Sequence, residues 1–229
     1  MADKPSRALV LYGDGLAQLI HTHIHSLASK ASCGFLSLPE SENERIVREF
    51  AHLVDAYDPT ISQRFMEMKA AIITLGFTVL SFKCLTSELL KLLGFQEGKT
   101  IEASQFDLVI LHTYLNSMVK ETMYNAKPGS EIGSRLHLSL VMSYGNASEM
   151  NSDLSVLVPR QSYTMKGENV RHHCPMLIAQ WQHAVTRKDT AETYSYKEFK
   201  EHGVNLVIPA DRFIHEVAFK LWKAPKYGA

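Results

Sequence analysis

The chain reads as an α/β protein with a mainly parallel central sheet covered on both faces. Three observations predict this. Short continuous apolar runs recur along the 229 residues, as at residues 8–12 (ALVLY) and 106–112 (FDLVILH). Stretches with helical spacing of apolar positions lie between them. Turn residues mark the junctions, among them Gly13-Asp14-Gly15, Gly94 and Pro128-Gly129.

The elements follow in order. Residues 8–12 form a central strand that stops at the Gly-Asp-Gly turn. Residues 25–30 (HSLASK) are expected as a helix close to that turn. The clearest helix spans residues 42–57, where Ile46, Val47, Phe50, Leu53 and Val54 share one face and Asp58-Pro59 ends it. Residues 69–74 and 77–80 are expected as strands. Residues 86–93 are a helix stopped by Gly94. Residues 106–112 are a second buried strand, and residues 115–126 are a helix ending near Pro128-Gly129. Residues 127–133 (KPGSEIG) hold glycines without a phosphate-loop pattern and are expected as a turn.

Leu136–Met142 is a third apolar run, and it stops abruptly at Ser143-Tyr144-Gly145-Asn146. Residues 150–169 are polar and punctuated, which suggests a long excursion or hairpin. Residues 174–179 (CPMLIA) are a further strand, residues 197–203 (KEFKEHG) a solvated helix face and residues 206–208 a short edge. Residues 211–222 form a last amphipathic helix, with Asp211 as its expected cap. No internal repeat or low-complexity tract interrupts the pattern, so one domain over residues 1–229 is expected.

Composition narrows the function. Lys+Arg and Asp+Glu both number 24, so the net charge is +0 and the basic surplus of a nucleic-acid binder is missing. The same balance argues against a polybasic membrane patch. No segment reaches about 18 uninterrupted apolar residues, so no transmembrane helix is expected. The amino terminus lacks a signal-peptide layout. Cys33, Cys84 and Cys174 are odd in number and widely spaced, which points to a reducing compartment. A cytoplasmic protein is therefore expected, with no nucleic-acid or membrane partner.

The order of segments resembles a known family. It begins with a strand ending in Asp-Gly, then THIHSLASKASCGFLSL, FDLVILH, LHLSLVMSYGN, HHCPMLIA and finally GVNLVIPADRFIHEVAFKLW. This is similar to the alkaline phosphatase superfamily, and within it to the archaeal-type cofactor-independent phosphoglycerate mutases. The resemblance covers most of the chain. It implies a three-layer α/β/α sandwich and two divalent metals, Mn, Mg or Zn. Two ions roughly 4 Å apart clamp the attacking and leaving oxygens of phosphoryl transfer.

The resemblance can be followed residue by residue. Asp14 falls where that family's first strand delivers a metal-binding Asp, and His112 falls on a His at a strand end. The family's Asp-x-x-x-His segment is not visible after Thr113. Its Asp-His pair is replaced by Ser143-Tyr144, whose neutral hydroxyl and phenol are poor ligands for divalent ions. A family His aligns with Asn169, and His172 and His173 lie close enough to substitute. A loose alignment puts Arg48 at the nucleophile position. The metal candidates are therefore Asp14, His172 and His173.

Other groups invite chemistry. His21, His23 and His25 would converge on a metal in a strand; at a helix start or in a loop they would not. Asp14 is also a natural turn cap. Cys33 and Cys174 would be nucleophiles beside a His, and buried thiols otherwise. The leading expectation is a degenerate, non-catalytic alkaline-phosphatase-like protein that binds a small phosphorylated ligand or a protein partner. The alternative is a metal-dependent phosphatase or phosphomutase with rearranged ligands.

Overall fold

The computed structural model describes residues 5–13, 22–38, 45–56, 65–74, 82–101, 104–112, 115–143, 175–203 and 206–226. They form a mixed α/β structure around a seven-stranded, mostly parallel sheet, with seven α-helices. The strands of that sheet are β1 (Arg7–Gly13), β2 (Ser32–Ser37), β3 (Ala70–Thr74), β6 (Leu108–His112), β7 (Leu136–Met142), β8 (Met176–Trp181) and β9 (Val207–Pro209). A separate hairpin pairs β4 (Phe95–Gln96) with β5 (Lys99–Thr100). The helices are α1 (Thr22–Ala28), α2 (Arg45–Leu53), α3 (Phe82–Leu92), α4 (Leu115–Asn125), α5 (Glu131–Arg135), α6 (Tyr196–His202) and α7 (Phe213–Lys220).

The sheet order is β3-β6-β1-β7-β8-β2-β9. β1 runs parallel to β6 and β7, β3 to β6, and β2 to β9, while β8 is antiparallel to both its neighbours. All seven residues of β1 are buried, as a strand covered on both faces requires. Alternation divides its side chains between two cores. Leu9 and Leu11 join Val109, Leu138, Leu140 and Ala179, packed with Leu27 of α1, Leu89 of α3, Met118 of α4 and Phe199 of α6. Ala8, Val10 and Tyr12 join Ile110, Val141 and Ile178, packed with Leu53 of α2 and Phe213, Ile214 and Val217 of α7. Two close fits complete the frame. A Cβ on Gly34 would come within 2.1 Å of the Leu206 backbone oxygen, so β2 and the approach to β9 meet only through glycine. Gly94 ends α3 at φ +80, a conformation L side chains rarely adopt.

Several expectations need correction. The first helix runs over Thr22–Ala28 rather than residues 25–30. Its first backbone N–H groups are satisfied from another element: His23 and Ile24 donate to the Asn116 side chain of α4, at 3.0 and 3.3 Å. No local residue signals that cap. Asp211 does not cap the last helix. It lies inside a 3-10 turn, Ala210–Arg212, and neither that turn nor α7 has a side-chain cap bond. The residue before α7, Arg212, is already helical, whereas a capping side chain needs extended backbone.

Residues 127–133 are more than a turn, since the Ser130 hydroxyl accepts from the Gly133 N–H at 3.0 Å and starts α5. The β4–β5 hairpin was also not anticipated. Its Glu97-Gly98 corner has φ of 50 and 81, the left-handed pair that a two-residue hairpin turn needs. The expected strand at residues 77–80 and the excursion at residues 150–169 lie outside the described residues.

Candidate functional site at the carboxyl edge of the sheet

Parallel pairing brings several strand ends to one edge. Tyr12 of β1 sits in register with His112 of β6, which is in register with Thr74 of β3. Gly13 is in register with Met142 of β7, and the Ser143 N–H extends that ladder by donating to the Gly13 carbonyl at 2.9 Å. β2 and β9 finish at the same edge, where Ser37 pairs with Pro209. β8 starts there, with Met176 opposite Leu36 and Leu177 opposite Met142. In open α/β sheets this is the edge outside which ligands bind.

The sequence candidates are attached to this edge by chain position. Asp14 follows Gly13 directly, and His172 and His173 shortly precede Pro175, the buried residue that leads into β8. Asp14, His172 and His173 themselves lie outside the described residues, as do Tyr144, Asn169, His21 and Cys174 and the side chains of Arg48 and Cys84.

The described groups at the edge form two adjoining sets. His112 is half-buried, and its ring stacks on Phe50 with centroids 5.9 Å apart and 27° between planes. Tyr12 completes the set, 5.1 Å from Phe50 and 5.2 Å from His112. The second set is a buried hydrogen bond. The Ser143 hydroxyl donates to the Glu49 carboxylate, and both residues are almost fully excluded from solvent. A carboxylate out of water is expensive unless hydrogen-bonded, so this donor holds it there.

Glu49 was missed by sequence reasoning, although a signal existed. Ile46, Glu49, Phe50 and Leu53 follow the i, i+3, i+4, i+7 spacing of one helix stripe. A carboxylate inside an apolar stripe is a buried charge waiting for a partner.

The remaining candidates are not brought together here. His23 and His25 lie on α1, where residues two apart point to different sides, which is the helix-start alternative and not the strand-like convergence on a metal. His25 Nδ1 instead accepts from the Tyr194 N–H at 3.0 Å. Cys33 is buried, and its thiol donates to the Ala28 carbonyl at 3.4 Å. Burial, helped by Asp189, pushes that thiol up to about 12, so the thiolate a nucleophile needs is disfavoured. The expected solvated face of residues 197–203 is amphipathic, because Tyr196 and Phe199 of α6 are buried.

Among the described residues, three potential metal donors converge only at Glu198, Glu201 and His202 of α6. That group lies at the opposite edge, since Gly203 after α6 abuts Cys33 at the start of β2. The described donors at the carboxyl edge, among them His112, Glu49 and Asp211 just past β9, do not converge as a three-donor group, so by themselves they do not fit a pair of divalent ions, each of which takes several protein ligands. Among the described residues, no helix is long and apolar enough to cross a membrane.

No protein-family model and no curated protein matches this sequence. Among solved structures, the chain is similar to the PH0037 protein from Pyrococcus horikoshii, with a TM-score of 0.58 and 11% identity over 99% of each chain. At that identity the likeness is one of fold.

Proposed function

We propose that residues 1–229 form one alkaline-phosphatase-like domain, a three-layer α/β/α sandwich, that has lost most of a dinuclear metal site. Its role is binding, of a small phosphorylated ligand or a protein partner, without turnover and in the cytoplasm. One observation carries this reading. Where the family it resembles places a metal-binding Asp-His pair, this chain has Ser143, whose hydroxyl is spent on the buried Glu49 carboxylate. His112, the other matched position described here, has its ring packed against Phe50 and Tyr12.

A second reading rests on Glu49 itself. It adds a carboxylate to an edge where Asp14, His172 and His173 attach, which favours a metal-dependent phosphatase or phosphomutase with rearranged ligands. In that reading Asp14, His172 and His173 hold Mn, Mg or Zn, and the metal supplies charge stabilisation to phosphoryl transfer.

Metal analysis of purified protein, with a phosphatase assay in each of the three cations, separates the two. The binding reading expects no stoichiometric metal and no turnover. Two ions per chain, with activity abolished by Asp14→Ala, would overturn it. A thermal-shift screen of phosphorylated small molecules then tests the ligand. A raised midpoint that Asp14→Ala abolishes supports a phosphorylated ligand, and an unmoved midpoint across the panel points to a protein partner.

A further inference from the structure

Besides the Glu49–Ser143 pair, the sheet face that carries the second core holds a further group of buried polar side chains, under α7. β7 sends Leu136, Leu138 and Leu140 into the first core, so His137 and Ser139 face the other way with Val141. His137 and Ser139 are both fully buried, and His137 Nε2 lies 3.2 Å from the Ser139 hydroxyl. His137 Nδ1 has no hydrogen-bond partner among the described residues. Gln180 of β8, in register with Ser139, is likewise buried with its amide nitrogen unpartnered among them. α7 covers this face with Ile214, Val217 and Ala218.

The charged group that acts on the ring is a cation. From α7 the group acting on His137 is Lys220, which also has Glu216 on its own helix. From β1 the register partner is Ala8, and from β8 the polar neighbour is Gln180; neither titrates. Beyond α7, Lys223 is 3.7 Å from Asp107, which also lies 3.6 Å from Arg7. Burial, and then Lys220, hold the His137 ring well below the ordinary imidazole range. Burial also lowers Lys220.

We infer that His137 is an acid-operated latch that releases α7 from the sheet. An imidazolium at this position would be a fully buried cation beside the half-buried Lys220, in an apolar layer. Lifting α7 lets water reach the ring. A group whose folded pKa is depressed takes up its proton on opening, so closure is fully stable above the ordinary value of about 6.5 and weakens as pH falls below it. The opened fraction then rises about tenfold per pH unit, until the folded ring itself titrates. The 3-10 turn ahead of α7 packs against α2, which carries Glu49, so the latch sits one element from the candidate site. The inference does not depend on what that site binds.

Hydrogen exchange of the full chain, read by mass spectrometry and corrected for intrinsic rates, tests it. Between about pH 7.5 and pH 5.5, protection in α7 is expected to fall about tenfold relative to α4. His137→Gln, or His137→Leu if the glutamine variant does not fold, is expected to abolish that difference. The comparison of α7 with α4 inside the unmodified protein needs neither variant. Parallel loss in both helices, or the same acid response in a folded variant, overturns the latch.

Discussion

At the amino edge of the sheet, Asp107 accepts the Lys69 N–H at 3.1 Å and faces Arg7 and Lys223 at 3.6 and 3.7 Å. The Arg7 guanidinium donates in turn to the Leu93 carbonyl at 2.9 Å. These bonds tie the approaches to β1, β3 and β6 to the ends of α3 and α7. At the carboxyl edge, the buried Glu49 carboxylate takes a neutral hydroxyl, Ser143, and the neighbouring contacts are between rings. One edge uses charge to close backbone and join elements. The other gathers side chains from α2, β1 and β6 and the residue after β7 around a strand end, where closing the sheet does not require them. The difference separates charges that join elements from side chains gathered at the candidate site.

The contrast can be measured. Asp107→Ala should have the largest effect, a loss of about 3 kcal/mol in urea unfolding, because it leaves the Lys69 N–H without its carboxylate acceptor and takes the counter-charge from the mostly buried Arg7. Ser143→Ala should cost about 2 kcal/mol by the same measurement, since it removes a donor from a buried carboxylate. A gain in stability there would strengthen the contrast, because it would show the pair is kept at the expense of folding. A loss equal to that of Asp107→Ala would erase it.

Tyr194→Phe should cost about 1 kcal/mol in thermal unfolding. Its hydroxyl reaches the Leu140 and Leu177 carbonyls at 2.8 Å each, bracing β7 against β8 just below the carboxyl edge. Glu198→Gln should be smallest, under about 0.5 kcal/mol in urea. Its contact with His202 is long, at 3.7 Å. A larger effect would mean that the acidic group on α6 is more than a surface feature.

Much of the frame was legible in the residues. β7 coincides with the apolar run at Leu136–Met142, and β1 and β6 fall within a residue or two of their runs. Buried parallel strands must be continuously apolar, so they announce themselves locally. α4 ends within a residue of expectation for a similar reason, its apolar stripe stopping before Pro128. The failures share a different cause. α1 begins three residues early because Asn116, far along the chain, supplies its cap. Glu49 was passed over because its partner, Ser143, lies 94 residues away. The metal candidates Asp14, His172 and His173 attach to the carboxyl edge by chain position, while His23 and His25 lie on a helix, the helix-start alternative for the histidine run.

By itself the sequence determined an alternating α/β chain with a buried, mainly parallel sheet, because apolar periodicity and turn residues act over a few neighbours. Only the tertiary structure decided the strand order, the reversed β8, the meeting of Glu49 with Ser143 and the burial of His137 beneath α7. Those features come from registry between segments far apart in the chain. Such pairings are selected by how whole faces exclude water, and no local window of residues contains that information.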